Sequence, residues 1–119
     1  MTYDPHNIFA KILRQEIPCN KVYEDEYVLA FHDIAPKASV HILVIPKGPY
    51  ESFDAFTKAA STDEIVGFYQ AVQKITEEKS IVSSGYRLLV NHGQNGGQEV
   101  PHFHLHIVGG EKLGPMIAK

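Results

Sequence analysis

The chain has one cysteine in 119 residues, which excludes an intrachain disulfide and any zinc site built on cysteine pairs. Cys19 lies between Pro18 and Asn20, a turn-like setting that reads as inert. Long apolar runs are also missing. The longest clean one is Ile42-Leu43-Val44-Ile45, far below the ~20 residues that span a bilayer. Met1 to Gln15 hold no uninterrupted apolar segment of the kind a secretory signal carries. With so little cysteine, the expected compartment is the reducing cytoplasm. No stripe of one charge is present either. Residues 1–60 carry 6 basic and 8 acidic groups, residues 61–119 carry 5 and 6, and the net charge is −3 with histidine neutral. That removes the usual electrostatic footprint of a nucleic-acid or anionic-membrane binder. There is no acidic tail, internal repeat or low-complexity segment. What remains, 44% hydrophobic and 21% charged, has the balance of a globular domain. The length fits one domain over residues 1–119.

Coarse organisation follows from periodicity and punctuation. Asp4-Pro5 and Asn7 compete as the start of a helix over about 7–14, where Ile8, Phe9, Ile12 and Leu13 recur at helical spacing. Pro18 is expected to end it. Lys21–Glu24 and Tyr27–His32 read as a hairpin, and Ala35–Ser39 as a loop. Val40–Ile45 is nearly continuous in apolar character, as a central strand would be. Glu51–Lys58 is ambiguous between loop and one helical turn. Ser61 and Glu64 have the spacing of a capping box, and Ile65, Phe68, Tyr69, Val72 and Ile75 continue as a helix to about Lys79. Tyr86–Asn91 reads as a strand, Asn91–Gln98 as a glycine-rich connection, and Phe103–Val108 as a strand. Strands in runs, with helices between the runs, predict an α+β domain with an antiparallel sheet.

Seven histidines stand out, three of them within five residues. In His102-Phe103-His104-Leu105-His106-Ile107 the period of two puts the imidazoles on one face and the apolar side chains on the other. The apolar face has an evident place in the core. Three adjacent titratable rings do not pack for gain, and the His face has three readings. It is the polar side of a half-exposed strand. It is part of a metal site, since imidazole is a common zinc ligand. However, the outer two backbones lie ~13 Å apart at strand rise, so only a pair with another ligand such as His41 fits one ion easily. Or it performs phosphoryl chemistry: the middle ring attacks phosphorus and its neighbours donate to the oxygens or the leaving atom. Imidazole suits that work because it is nucleophilic when neutral and a donor when charged. The third reading also uses what surrounds the strand. Gly93, Gly96 and Gly97 can offer backbone N–H groups to a phosphate, His41 opens the apolar strand, and Asp33 follows the hairpin.

These residues carry a family resemblance. His102-Phe103-His104-Leu105-His106-Ile107-Val108 resembles the signature of the histidine triad (HIT) superfamily. Ile8–Ile12, Ala30–Ile34, His41–Lys47, Gly96–Val100 and the ending Gly109-Gly110 through Leu113-Gly114-Pro115-Met116 resemble its Hint branch, the histidine triad nucleotide-binding proteins, in bacterial form. The resemblance covers about residues 6–116. His106 separates the chain from the uridylyltransferase branch, whose pattern ends in Gln.

The resemblance implies a HIT-like fold: a five-stranded antiparallel sheet with two helices, paired in a homodimer as a continuous ten-stranded sheet, with a short tail from about 110 to 119. It implies a purine nucleoside phosphoramidase, hydrolysing adenosine 5′-monophosphoramidates to AMP and an amine. No cofactor or metal is expected, and no nucleic-acid or membrane partner. In this scheme His104 is the nucleophile and forms a nucleotidyl-histidine, His106 contacts the phosphate, and His102 and His41 orient and protonate the relay. Asp33 accepts from the ribose hydroxyls. Asn91, Gly97, Gln98, Glu99 and Val100 line the phosphate and leaving-group region, and Phe9, Ile12, Phe31, His32, Ile34 and Leu43 make the base pocket. Without the resemblance, Phe9, Ile12, Phe31 and Leu43 are ordinary core positions and Asp33 starts the Pro36 turn. His32 falls between core edge and pocket, and His6 and His92 are loop residues without a role. Two departures matter. Pro49 stands where some Hint proteins have a further histidine, so no relay runs through it. Glu99 stands where many eukaryotic relatives have Ser, which bears on the leaving group. Alternatives are a dinucleoside polyphosphate hydrolase of the same superfamily and a nucleotide- or zinc-binding regulatory module with little turnover.

Overall fold

Polar caps decide where the helices begin. In a computed structural model, which describes residues 2–117, the order is α1 (Ile8–Leu13), β1 (Lys21–Glu24), β2 (Val28–His32), β3 (Val40–Pro46), α2 (Phe53–Ala59), α3 (Thr62–Glu78), β4 (Tyr86–Leu89), α4 (Gly93–Gly96) and β5 (Leu105–Gly109). Asn7, not Asp4, caps α1. Its Oδ1 accepts from the Ala10 N–H at 2.9 Å, satisfying a donor that the first helical turn leaves unpaired. Pro18 does not end this helix. Gln15 does, at φ +64°, as the Gln15 and Glu16 N–H groups return to the Ile12 and Lys11 carbonyls, the paired bonds of a Schellman turn. The predicted capping box opens α3: Ser61 Oγ accepts from the Glu64 N–H at 3.1 Å, and Glu64 Oε1 accepts from the Ser61 N–H at 3.0 Å. A second Schellman turn, with Ser80 at φ +58°, closes α3 and delivers Ile81 into the core.

Glu51–Lys58 resolves into α2, capped by Ser52 Oγ accepting from the Ala55 N–H, and Phe56 on it is fully buried. Tyr69, expected on the apolar stripe of α3, is 41% exposed instead. The last predicted helix-free connection contains the single turn α4.

All five strands form one antiparallel sheet in the order β1-β2-β3-β5-β4, with β3 central as predicted. Alternation gives it two unlike faces. Val28, Ala30, Ile42, Val44, Leu105 and Ile107 face α2 and α3 and pack with Phe56, Phe68, Val72, Ile75 and Phe103. Leu29, Phe31, Leu43 and Ile45 face the other way and pack with Phe9 and Ile12 of α1. The short α1 covers only part of that second face, and the remainder carries the histidines.

The histidine strand is shorter than expected, because β5 begins at Leu105 and residues 102–104 pair with no strand. Continuing the register beyond Val44↔Leu105 brings Phe103 opposite Pro46. Pro46 has no N–H to give, its carbonyl is taken by the His102 ring, and the Phe103 N–H turns to the Tyr50 carbonyl at 2.7 Å. Phe103 still faces the α2–α3 core, so the predicted alternation of side chains survives without the ladder. No helix among the described residues is long and apolar enough to cross a membrane.

Candidate active site

Sheet register brings four of the histidines to one place. His106 lies opposite Leu43 and His41 opposite Val108 on adjacent strands. The His104 and His106 rings stand 5.2 Å apart, the His41 and His106 rings likewise 5.2 Å, and Phe9 meets His104 edge-on at 5.0 Å. His102 and His104 are 0% and 6% exposed. Each buried nitrogen therefore needs a partner, and the partners reveal the tautomers.

The unladdered segment sets the first pair. His104 Nδ1 is 2.7 Å from the His102 carbonyl, which can only accept. The proton of neutral His104 is thus on Nδ1, and Nε2 keeps its lone pair. His102 Nε2 donates to the Pro46 carbonyl at 2.9 Å, and its Nδ1 accepts from the Tyr3 hydroxyl at 2.6 Å. Both nitrogens of His102 are engaged, so its ring has no proton to offer a reactant. Its carbonyl, in turn, holds the His104 Nδ1 proton.

The second pair is linked ring to ring. The Lys37 N–H donates to His41 Nδ1 at 3.0 Å, which places the His41 proton on Nε2. From there it points at His106 Nδ1, 2.9 Å away. His106 consequently carries its proton on Nε2, and that atom is buried with no hydrogen-bond partner among the described residues. A donor left in this state is ready for an incoming acceptor such as a phosphoryl oxygen. Asp33 serves two ends. Its Oδ1 accepts from the Ala35 N–H at 2.8 Å, holding the turn, and its Oδ2 lies 3.5 Å from His41 Nε2. Ligand atoms of Asp33, His41 and His106 lie within 4.8 Å of one another. A metal there needs both facing imidazole lone pairs, whereas the Lys37 N–H leaves a proton between the rings. The arrangement can pass a proton from ring to ring.

Burial pushes all four imidazoles below the ordinary histidine value, so they are neutral at pH 7. For His102 desolvation dominates and holds it down to about 4. His106 is likewise held to about 4, by desolvation and then by the neighbouring His104 and His41 rings. His41 is lowered by desolvation against the pull of Asp33. His104 is lowered by desolvation too, opposed by the His102 carbonyl, Asp33 and Glu99. A neutral His104 with a free Nε2 lone pair is the form that attacks an electrophile.

The expected pocket residues divide. Phe9, Ile12, Phe31 and Leu43 come together beside His104, all buried and in contact as one apolar cluster, with Val100 against it. Ile34 does not join them and is 98% exposed. His32 is half-buried at the end of β2, on the Ala30 side of the strand and not the Phe31 side. Around the glycine-rich loop, Asn91 is half-buried and Glu99 exposed. Three of the loop amides are already paired within the loop. The Gly93 N–H donates to Gln98 Oε1, and those of Gly97 and Gln98 return to the Gln94 and Gly93 carbonyls. Gln98 Nε2 donates to the Glu51 and Val100 carbonyls, so this side chain braces the loop. Only at Gly93 and Gly97, with φ of +67° and +76°, does the turn demand glycine. A cleft of about 500 Å³ runs beside the loop, with Glu51, Asp54, His92 and Glu99 in its lining. His6 is exposed on the surface. Sequence reasoning missed Tyr3, which sits 99 residues from its partner with no local signal, and the Pro46 carbonyl, whose role was hinted only by the proline at the strand's end.

Over residues 14–113 the sequence matches the HIT domain. The chain belongs to the HIT family. A 13.2 kDa HIT-like protein of Azospirillum brasilense is 53% identical over 118 residues, covering 99% of this chain and 97% of the relative. The purine nucleoside phosphoramidase of Escherichia coli K12 is 44% identical over 112 residues, covering 93% and 92%. Among solved structures, a histidine triad protein from Clostridium difficile superposes with a TM-score of 0.85 at 44% identity, covering 92% and 95%. Sequence motifs and relatives together place this HIT protein in the bacterial Hint-type branch.

Proposed function

We propose that this HIT protein is a purine nucleoside phosphoramidase that cleaves the P–N bond of adenosine 5′-monophosphoramidates, releasing AMP and an amine. The observation that carries the reading is the tautomer pattern: an Nε2 lone pair on His104 beside an unpartnered Nε2–H on His106. The likeness to the E. coli phosphoramidase supports the substrate class. In the first step His104 Nε2 attacks phosphorus and the P–N bond to the amine breaks. The amine leaves with a proton from the His41–His106 pair, which is neutral in the free protein and takes up one proton as the substrate's phosphoryl anion binds, that anion and Asp33 offsetting its charge. His106 Nε2–H donates to a non-bridging oxygen. The nucleotidyl-His104 is a cation that keeps its Nδ1–H on the His102 carbonyl, which makes it a good leaving group. In the second step water attacks phosphorus, the bond to His104 breaks, and a water proton returns to the pair.

Phe9, Ile12, Phe31 and Leu43 would open to the base and Asp33 to the ribose. The amine would depart toward the cleft edged by Glu51, Asp54 and Glu99, whose carboxylates favour a cationic amine. The protein would act as a homodimer through β4, an edge strand where Tyr86, Leu88 and Leu89 are 39–41% exposed, with Val90 just beyond it at 37%. An apolar edge of this kind invites a second copy.

A fluorogenic adenosine phosphoramidate, assayed with and without chelator, tests the reading. Wild type should release amine equally in both conditions and His104→Ala should not. No release from wild type, or equal release from the variant, overturns it. Activity lost to chelator points to a metal-dependent module, and preference for a diadenosine polyphosphate points to the hydrolase alternative.

A further inference from the structure

Tyr3 belongs to no helix or strand and lies outside residues 14–113, the part that matches the HIT domain. Its hydroxyl nonetheless sits 2.6 Å from His102 Nδ1, and its ring meets the His102 ring edge-on with centroids 5.6 Å apart. The direction of that hydrogen bond follows from the far side of the imidazole. His102 Nε2 is 2.9 Å from the Pro46 carbonyl, which only accepts, so Nε2 bears the proton and Nδ1 the lone pair. Tyr3 therefore donates. His102 is 0% exposed, so bulk water does not stand in for the hydroxyl. The backbone of the same residue holds the His104 Nδ1 proton at 2.7 Å. Phe9, which follows the N-terminal arm into α1, also meets both rings, at 6.4 Å from His102 and 5.0 Å from His104.

We propose that Tyr3 is a positioning residue for His104, acting through His102. Its hydroxyl fixes the His102 ring in the Nε2–H tautomer and pins it to Pro46. This keeps the His102 carbonyl where it captures the Nδ1 proton of His104 and leaves Nε2 as the nucleophile. Residues 102–104 have no strand partner to hold them, so the ring anchor replaces the missing ladder. Without the hydroxyl, His102 Nδ1 is a buried acceptor with no donor. The ring relieves that by turning away from Pro46, and that movement loosens the carbonyl that orients His104. The kinetic consequence rests on His104 being the nucleophile of the proposed reaction; the tautomer consequence does not.

The test is Tyr3→Phe in the full chain, which keeps the edge-on ring and deletes only the hydroxyl. Two readouts are taken: kcat and KM on the fluorogenic phosphoramidate, and histidine tautomers from ring ¹⁵N–¹H correlation spectra without nucleotide. Wild type should show His102 as Nε2–H and His104 as Nδ1–H. In Tyr3→Phe, kcat should fall about tenfold with KM within about twofold, and His104 should become a mixture of tautomers. Thr2→Ala, an exposed neighbour on the same arm, should change neither. Unaltered tautomers in Tyr3→Phe, or a raised KM with wild-type kcat, overturn the proposal. If wild type releases no amine but the tautomers shift as described, the positioning claim stands and the phosphoramidase reading falls.

Discussion

Facing α2 and α3, Phe103, Leu105 and Ile107 are at most 2% exposed. One residue away in each case, on the opposite face, stand His104, His106 and the equally buried His102. The two faces share one segment of chain, with His102 and His104 as buried as their apolar neighbours and His106 half-buried, but different forces hold them. Packing on the covered face is non-directional: Phe103 stacks on Phe56 at 4.9 Å and meets Phe68 at 5.1 Å, and its value lies in area and fit. On the histidine face the engaged nitrogens each answer to one named atom, among them the Pro46 carbonyl, the His102 carbonyl and the Lys37 N–H, while Nε2 of His104 and of His106 stay free for a ligand. Neighbouring substitutions should therefore separate stability from chemistry.

The sharpest contrast is between positions 103 and 104. His104→Ala should lower kcat by about 10⁴-fold or more in the phosphoramidate assay, while its denaturation midpoint stays near that of wild type. Phe103→Ala should do the reverse. It should cost about 3–5 kcal/mol in chemical denaturation, with the folded fraction still active. Equal damage to both properties in either variant would break the distinction between the faces.

Acid should then act on the histidine face. Histidine ordinarily titrates near 6.5, and burial holds His102 and His106 down to about 4. Above pH 6.5 these groups are neutral in folded and unfolded chains alike, so their contribution to stability is complete. As pH falls from 6.5 toward 4 the unfolded chain takes up protons that the folded chain refuses, and stability declines. His102 alone should account for on the order of 3 kcal/mol of that loss. Urea unfolding at pH 7 and at pH 4.5 measures it, and equal stabilities would contradict it. Activity should share an acid limb below pH 6.5, where His104 protonates, and kcat should show a basic limb where the His41–His106 pair of the substrate complex loses the proton it took up on binding.

Smaller effects follow. His106→Asn removes the unpartnered donor and should reduce kcat about 10²-fold with a modest change in stability. On the covered face, Ser80 accepts a left-handed φ of +58° to deliver Ile81 into the core. Ser80→Gly should stabilise the chain by about 0.5–1 kcal/mol without touching activity, as a thermal melt would show.

Much of this contrast was legible in the sequence. Period two in His102–Ile107 separated the faces, the capping box located α3, and the run Val40–Ile45 marked the central strand. These signals are local, and the structure obeys them. Legibility ended where a contact spans the chain or a backbone group does the work. Nothing near Tyr3 announces a partner 99 residues away. The glycines of 93–97 have the composition of a phosphate cradle, whereas in the fold the amides of Gly93 and Gly97 close a turn on Gln98 and Gln94, because a short loop satisfies its own donors first. In the sequence Pro46 marks the end of a strand. Its further effect, ending the pairing of β5 and so freeing the His102 carbonyl for His104, needs the register of two strands. Ile34 fitted the pocket by resemblance but lies beyond the end of β2, where alternation no longer dictates direction.

The central claim is that a carbonyl-locked tautomer makes His104 the nucleophile, and covalent trapping tests it most directly. Wild type mixed with an excess of adenosine phosphoramidate, stopped within one turnover and digested under alkaline conditions, should yield one adenylylated peptide, with the nucleotide on His104. Turnover without any adduct, or an adduct on His102, His106 or His41, would contradict it.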